Sequence, residues 1–248
     1  MARIALVQYD IAWEDPQANI ARIGTLLSNY SGEPFDILIL PETWPTGFSM
    51  RAHGESVFQT GLAFMQTLAA TYRCSVLGGL PAPAGQSQEN RCYVIAEDRL
   101  DYYIKNRAFK YAGEHRAYQA GTESRTWQIA GLRISPLICY DLRFPELARR
   151  AARDTDVLVY IANWPSAREH HWRSLLVARA IENQCFVIAV NRIGTDGNRL
   201  EYPGASMVVD PLGKILLDAE GRSGIFTCEI QADTVSAVRK QLPFLADM

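Results

Sequence analysis

The chain has 248 residues, 48% of them apolar, and a formal net charge of -2. That length suits one large α/β domain with a sizeable core. The near balance of charge, without a basic cluster, argues against a nucleic-acid or anionic-membrane surface. No apolar run reaches the ~18 residues of a membrane span. Met1-Ala2-Arg3-Ile4 leads straight into a strand pattern with no charged-then-apolar leader, so a cytoplasmic protein is expected.

"RIALVQYD" (3–10) reads as a buried strand. A helix follows over "DPQANIARIGTLLSNY", with Asp15 as N-cap, Pro16 at the first helical position and Ile20, Ile23, Leu26 and Leu27 at helical spacing. "FDILILPE" is a second buried strand, ending at Glu42, so the opening unit is strand–helix–strand and suits parallel pairing. A helix is expected over 55–72, then strands at "CSVLGGL", "RCYVIAED" and "LDYYIKNR", with "LPAPAGQSQEN" as a surface loop. After residue 130 come the strand "LRISPLICYD", the helix "RFPELARRAARD", the strand "DVLVYIANW" and a long helix "AREHHWRSLLVARAIENQ". Strands "CFVIAVNR", "ASMVVDP", "KILLDAE" and "GIFTCEI" close the pattern, with "PLGK" as a hairpin turn and "GTDGN" as a turn.

The two halves resemble each other. "RIALVQYD" matches "RISPLICYD", and "FDILILPETWP" matches "TDVLVYIANWP". This short repeat points to a sandwich of two related halves.

The five cysteines are scattered and odd in number, which argues against a disulfide framework or zinc knuckle. Cys74, Cys92, Cys185 and Cys228 sit in or beside apolar runs and read as small buried hydrophobes. Cys139 differs: it ends a strand just before a polar, turn-prone segment. In parallel sheets ligands bind beyond the carboxyl ends of the strands, and Glu42 and Lys105 fall at such ends too. A free thiol is mostly protonated at neutral pH and needs a base. None of His53, His115, His170 and His171 sits in a familiar cysteine-protease context, whereas Glu42, flanked by Leu40, Pro41 and Trp44, is placed where burial could raise its proton affinity. A nearby lysine could stabilise an oxyanion. Taken singly, each of these residues has an ordinary reading as surface charge or core thiol. Adjacent His170 and His171 diverge by ~100° on a helix, so no metal site is expected.

"PETWPTGFS", "YIKNRAF", "GEHRAYQAG", "CYDLRFPE" and "NWPSAREHHWRSLLVARAIENQ" occur in that order, and together they resemble the successive signatures of the nitrilase superfamily of carbon–nitrogen hydrolases. The run from Asn163 to Gln184, followed by "NRIGTDGN", most resembles the omega-amidase branch. The resemblance implies a single α/β domain over 1–248, with a short tail from about 231. Its fold would be a four-layer α-β-β-α sandwich with pseudo-two-fold halves, needing no cofactor or metal. It also implies Glu42 as general base, Cys139 as nucleophile, Lys105 and the backbone N–H of Tyr140 as oxyanion donors, and Glu114 as the residue positioning the lysine or water. "KNRAF" departs from the frequent Lys-x-His-Leu-Phe, with Arg107 and Ala108 in place of His and Leu, and leaves Lys110 as a rival to Lys105. Trp44 is expected to shape the pocket wall.

The implied reaction hydrolyses the ω-amide of a small dicarboxylate monoamide, such as succinamate or 2-oxoglutaramate, through a thioester. Arg143, four residues past Cys139, or Arg168 would hold the distal carboxylate, with Asn163 and Trp164 beside them at the substrate. The partner is a small-molecule amide, with no nucleic acid and no membrane, and the assembly is a homodimer or larger homo-oligomer. The competing readings are the same triad acting on a carbamoyl-amine, a deaminated-glutathione-like amide or a nitrile, and a non-catalytic binding partner.

Overall fold

A computed structural model describes the chain except for Glu97, Asp98, Arg153 and Met248. The first half runs β1 (Ala2–Gln8), α1 (Pro16–Ser28), β2 (Ile37–Ile39), α2 (Gly54–Tyr72), β3 (Ser75–Ala84), β4 (Ser87–Ala96), β5 (Arg99–Ile104), α3 (Glu114–Ala117) and β6 (Tyr118–Gln119). The second runs β7 (Trp127–Ile129), β8 (Leu132–Ile138), α4 (Pro145–Ala152), β9 (Val157–Ala162), α5 (Glu169–Asn183), β10 (Phe186–Asn191), β11 (Ile193–Thr195), β12 (Glu201–Pro203), β13 (Met207–Val209), β14 (Ile215–Asp218), β15 (Gly224–Ile230) and α6 (Ala232–Gln241).

Each half builds a sheet on one plan. In the first, β1, β2 and β3 pair in parallel, with β15 antiparallel outside β1 and β4 and β5 antiparallel beyond β3. In the second, β8, β9 and β10 are parallel, with β7 outside β8 and β13 and β14 beyond β10. Register matches as well: Ile4 pairs with Ile37 as Ile134 pairs with Val157. Asp36 and Asp156 hold the same corner. Each accepts a backbone N–H, from Arg3 at 2.8 Å and from Arg133 at 2.9 Å, and each returns its own N–H to that residue's carbonyl at 2.8 Å. The internal sequence repeat therefore corresponds to two related halves.

The layers follow from strands that are apolar on both faces, as buried parallel strands are. Ala5 and Val7 of β1 face outward and pack with Ile23 and Leu27 of α1 and Met65 and Leu68 of α2. Ile4 and Leu6 face inward and join the second sheet's Ile134, Ile138 and Val159. Leu147 of α4 and Trp172 and Leu176 of α5 belong to that same core and complete an α-β-β-α sandwich. Asp15 caps α1 by accepting Ala18 N–H at 3.0 Å, with Pro16 in the first turn.

Several expectations change. "LPAPAGQSQEN" is no surface loop: β3 runs on to Ala84, turns, and returns as β4 from Ser87. Its prolines are tolerated because β2 is short. Gly79 donates its N–H to Pro41 O at 3.1 Å, on the side away from β4, and Pro81 and Pro83 share that phase. Beyond the end of β2 no ladder bond is lost there. The turn expected at "GTDGN" is present, as the tip of the β11–β12 hairpin. The stretch after 231 carries α6, whose Val235 and Val238 are buried. The last two residues of the strand expected over "RCYVIAED", Glu97 and Asp98, and Arg153 at the end of an expected helix lie outside the described residues.

Candidate active site

Glu42 follows β2, Lys105 follows β5, and Cys139 follows β8, so the chain delivers them from ends of both sheets. The structure brings the first two together. Lys105 Nζ donates to Glu42 Oε1 and to Glu114 Oε1, each at 2.9 Å. All three side chains are at most 2% exposed. Glu114 also accepts the Phe109 N–H. Glu42 has further donors: Asn90 Nδ2 at 2.8 Å on Oε1, and Asn163 N–H at 2.8 Å on Oε2. Asn163 Nδ2 also reaches Glu42 O at 2.8 Å. The rival Lys110 is exposed in a short 3-10 turn and makes none of these contacts.

Burial alone would drive the Lys105 ammonium towards neutrality. Glu114 and Glu42 outweigh it and hold the group well above the ordinary lysine value. For the Cys139 thiol, burial and next the Glu42 charge push the pKa well above that of a free cysteine, against the pull of Lys105. The thiol is therefore neutral at rest. Its Sγ lies 3.8 Å from Asn163 O.

Cys139 has φ 45°, in the left-handed region, and opens a 3-10 turn over Cys139–Arg143. Tyr140 N–H falls in the first turn, where the helix itself supplies no carbonyl. Glu42's loop is pressed equally hard. A Cβ on Gly79 would stand 2.5 Å from Thr43 N and 2.6 Å from Glu42 Cα, so only glycine lets β3 pass beneath it.

One pocket is lined by Lys105, Cys139, Tyr140, Arg143, Asn163, Trp164 and Arg168, together with Phe48, Phe109, Leu200 and Tyr202. Arg143 lies 4.8 Å over the Trp164 ring and meets His171 Nδ1 at 3.1 Å, while Arg168 lies 5.4 Å over Phe109. Neither guanidinium has an ion-pair partner among the described residues. Trp44 does not line this pocket. It is fully buried against Phe64, because the face it occupies belongs to the core under α2. Among the described residues no group of three or more His, Cys, Asp or Glu side chains is placed to hold a metal ion.

Sequence reasoning missed Asn90, Gly79 and Asp141. Asn90 bridges Glu42 and Glu114, reaching the latter at 3.2 Å. Its signal was a polar residue in the inward phase of β4, in step with Gln88, Cys92 and Val94.

The carbon–nitrogen hydrolase family profile matches residues 3–240. The chain belongs to this family. It is thus a hydrolase of carbon–nitrogen bonds with the nitrilase-type sandwich. It is 37% identical to the omega-amidase YafV of Yersinia enterocolitica, covering 99% of this chain and 96% of that protein. It is 33% identical to the 2-oxoglutaramate amidase of Bacillus subtilis, again over 99% and 96%. Among solved structures it resembles XC1258 of Xanthomonas campestris, a CN-hydrolase superfamily protein with an arsenic adduct in its active site. There the TM-score is 0.90 at 37% identity, covering 100% of this chain and 97% of that one.

Proposed function

We propose that this carbon–nitrogen hydrolase is an omega-amidase that cleaves the terminal amide of a short dicarboxylate monoamide to the acid and ammonia. Cys139 Sγ attacks the amide carbon as its proton passes to Glu42. The charge that develops on the carbonyl oxygen is met by Lys105 Nζ and Tyr140 N–H. Collapse of the adduct breaks the C–N bond, returns the proton to nitrogen and leaves a thioester. Water, deprotonated by Glu42, then attacks the thioester and restores the thiol. Glu114 and Asn90 keep the ammonium and carboxylate in place through the cycle. A neutral resting thiol makes the base indispensable.

The observation that carries the substrate class is the pair of guanidiniums, Arg143 and Arg168, beside the thiol without a carboxylate among the described residues to neutralise them. Burial, and next the charge of Arg168, holds Arg143 below the ordinary arginine value, which a bound carboxylate would relieve. Stacked on Trp164, Arg143 can present its fork to a distal carboxylate. Asn163 Oδ1, buried and without a partner among the described residues, supplies an acceptor for the amide N–H. The similarity to omega-amidase and 2-oxoglutaramate amidase supports the same class. In this reading the enzyme works in the cytoplasm as a homodimer or larger homo-oligomer, on a free small molecule. The test is ammonia release from succinamate and 2-oxoglutaramate against neutral monoamides of equal length. Turnover of the charged amides is expected to dominate, and equal turnover defeats the assignment.

A further inference from the structure

Asp141 lies two residues past the nucleophile and is fully buried. It makes no ion pair among the described residues, yet three donors converge on it. Ile138 N–H reaches Oδ2 at 3.0 Å, Tyr103 O–H reaches the same oxygen at 2.8 Å, and Arg107 N–H reaches Oδ1 at 2.8 Å. Their positions in the chain are the point. Ile138 immediately precedes Cys139, while Tyr103 and Arg107 flank Lys105 by two residues on either side. Asp141 therefore ties the turn at the end of β8, in the second sheet, to the end of β5, in the first.

We propose that Asp141 is a positioning residue that holds the left-handed Cys139 turn and the Lys105 strand end in one fixed relation, setting where the thiol stands against the ammonium. The inference rests on the roles given above to Cys139 and Lys105. Left-handed backbone at a non-glycine residue persists only where its surroundings over-determine it. The bond from Asp141 back to Ile138 N–H supplies that constraint. The carboxylate is also suited to the task where an amide is not. Two oxygens accept three donors, whereas asparagine offers one oxygen and must turn its NH2 towards at least one N–H or O–H.

Burial pushes the Asp141 carboxyl up to about 6, against its hydrogen bonds and the charge of Lys105. The other titratable groups facing it are Tyr103 on β5 and Tyr160 on β9, while Arg179 of α5 holds the neighbouring Leu142 O at 2.7 Å. Below that pH the wild type takes up a proton and loses the acceptor that Asp141→Asn lacks at every pH.

The experiment compares steady-state kinetics of wild type, Asp141→Asn, Tyr103→Phe and Asp101→Asn across pH, with thermal unfolding of each. Asp101→Asn is the control. It cuts another bond between the sheets on the same strand, Trp127 Nε1 to Asp101 Oδ2 at 2.9 Å, away from the site. Asp141→Asn is expected to lose about 10²-fold in kcat, the scale of a small misplacement of reacting groups, with KM little changed. Its deficit relative to wild type should shrink as pH falls through about 6. Asp101→Asn should keep wild-type kcat. Normal kcat in Asp141→Asn, or equal losses in both aspartate variants, or a deficit independent of pH, would overturn the proposal. If Asp141→Asn does not fold, Tyr103→Phe decides: lower kcat at unchanged KM supports the clamp, and unchanged kcat rejects it. A Cys139→Ala protein that still releases ammonia defeats the triad and the clamp together. With Cys139→Ala inactive, the variants above judge the clamp alone.

Discussion

The two halves of the molecule share strand order, direction and register, and differ at the strand ends. Where β8 ends in Ile138-Cys139, β1 ends in Gln8-Tyr9. Gln8 is spent on structure, donating to Glu220 O and Arg222 O at 2.7 Å each and accepting Ser206 N–H at 2.9 Å, and Tyr9 O–H caps Trp44 O at 2.8 Å. Past the second strands, Thr43-Trp44-Pro45 matches Asn163-Trp164-Pro165. The equivalents Thr43 and Asn163 touch, Nδ2 to Oγ1 at 3.2 Å, so the pseudo-two-fold relation runs beside Glu42. Trp44 is core, whereas Trp164 donates to Arg168 O at 2.7 Å and walls the pocket. The repeated scaffold brings the ends of β2 and β9 face to face, while the equivalent ends of β1 and β8 carry Tyr9, spent on the core, and Cys139, open to the pocket.

Substitutions at matched positions test this division. Cys139→Ala should abolish ammonia release, while Tyr9→Phe, at the equivalent strand end, should leave kcat intact and lower only the unfolding temperature; matching losses of activity would mean the halves are not divided in this way. Glu42→Gln preserves shape but removes the proposed proton acceptor, and kcat should drop by ~10²–10⁴ with a smaller change in KM. Gly79→Ala drives a methyl group into the Glu42 backbone, so both kcat and unfolding temperature should fall. Rigid displacement of Glu42 would show as a kcat loss larger than that of Gly78→Ala, whose methyl group would meet the Leu40 and Met65 side chains instead. Arg143→Lys keeps the charge and loses the fork. KM for succinamate should rise far more than KM for a neutral amide, and equal effects would move the anchor to Arg168.

The smallest effect is expected at the paired corners. Asp156 receives Arg133 Nε at 3.1 Å and Nη2 at 2.7 Å besides the backbone N–H, whereas Arg3 turns its guanidinium to Glu229 and Pro34 and leaves Asp36 with the backbone bond. Burial would raise the Asp156 carboxyl, but the Arg133 bonds outweigh it and hold it below the ordinary range. The stability it contributes is thus present above the ordinary carboxylate pKa and lost as pH falls through the lowered folded value. Asp156→Asn should cost about 1–3 kcal/mol in denaturant unfolding at pH 7 and less at acid pH. Asp36→Asn should cost less at pH 7. Asp141 has the opposite sign. Its contribution is present below the ordinary pKa and fades as pH rises through about 6. Its ionisation at neutral pH therefore comes at the expense of stability.

Strand and helix positions were legible because apolar periodicity reports burial directly, and the order of Glu42, Lys105 and Cys139 along the chain was legible because each closes an apolar run. Asn90 was not. Its strand began inside a Gly- and Pro-rich stretch, where local turn chemistry speaks louder than alternation. Asp141 was not legible either, since a lone carboxylate in a polar turn carries no sign of the three donors that fold around it. Trp44 and Trp164 stand in the same Trp-Pro context, and nothing local separates core from pocket.

By itself, then, the sequence determined most of the elements, the family and the candidate side chains for chemistry, because these depend on local pattern and residue type. Only the tertiary structure decided that Lys105 rather than Lys110 meets Glu42, that Asn163 crosses from the second half to hold the first half's carboxylate, and that Arg143 and Arg168 share one pocket. Those relations join residues 25 to 121 positions apart in the chain. Their distances follow from sheet register and layer packing, which no short stretch of chain encodes.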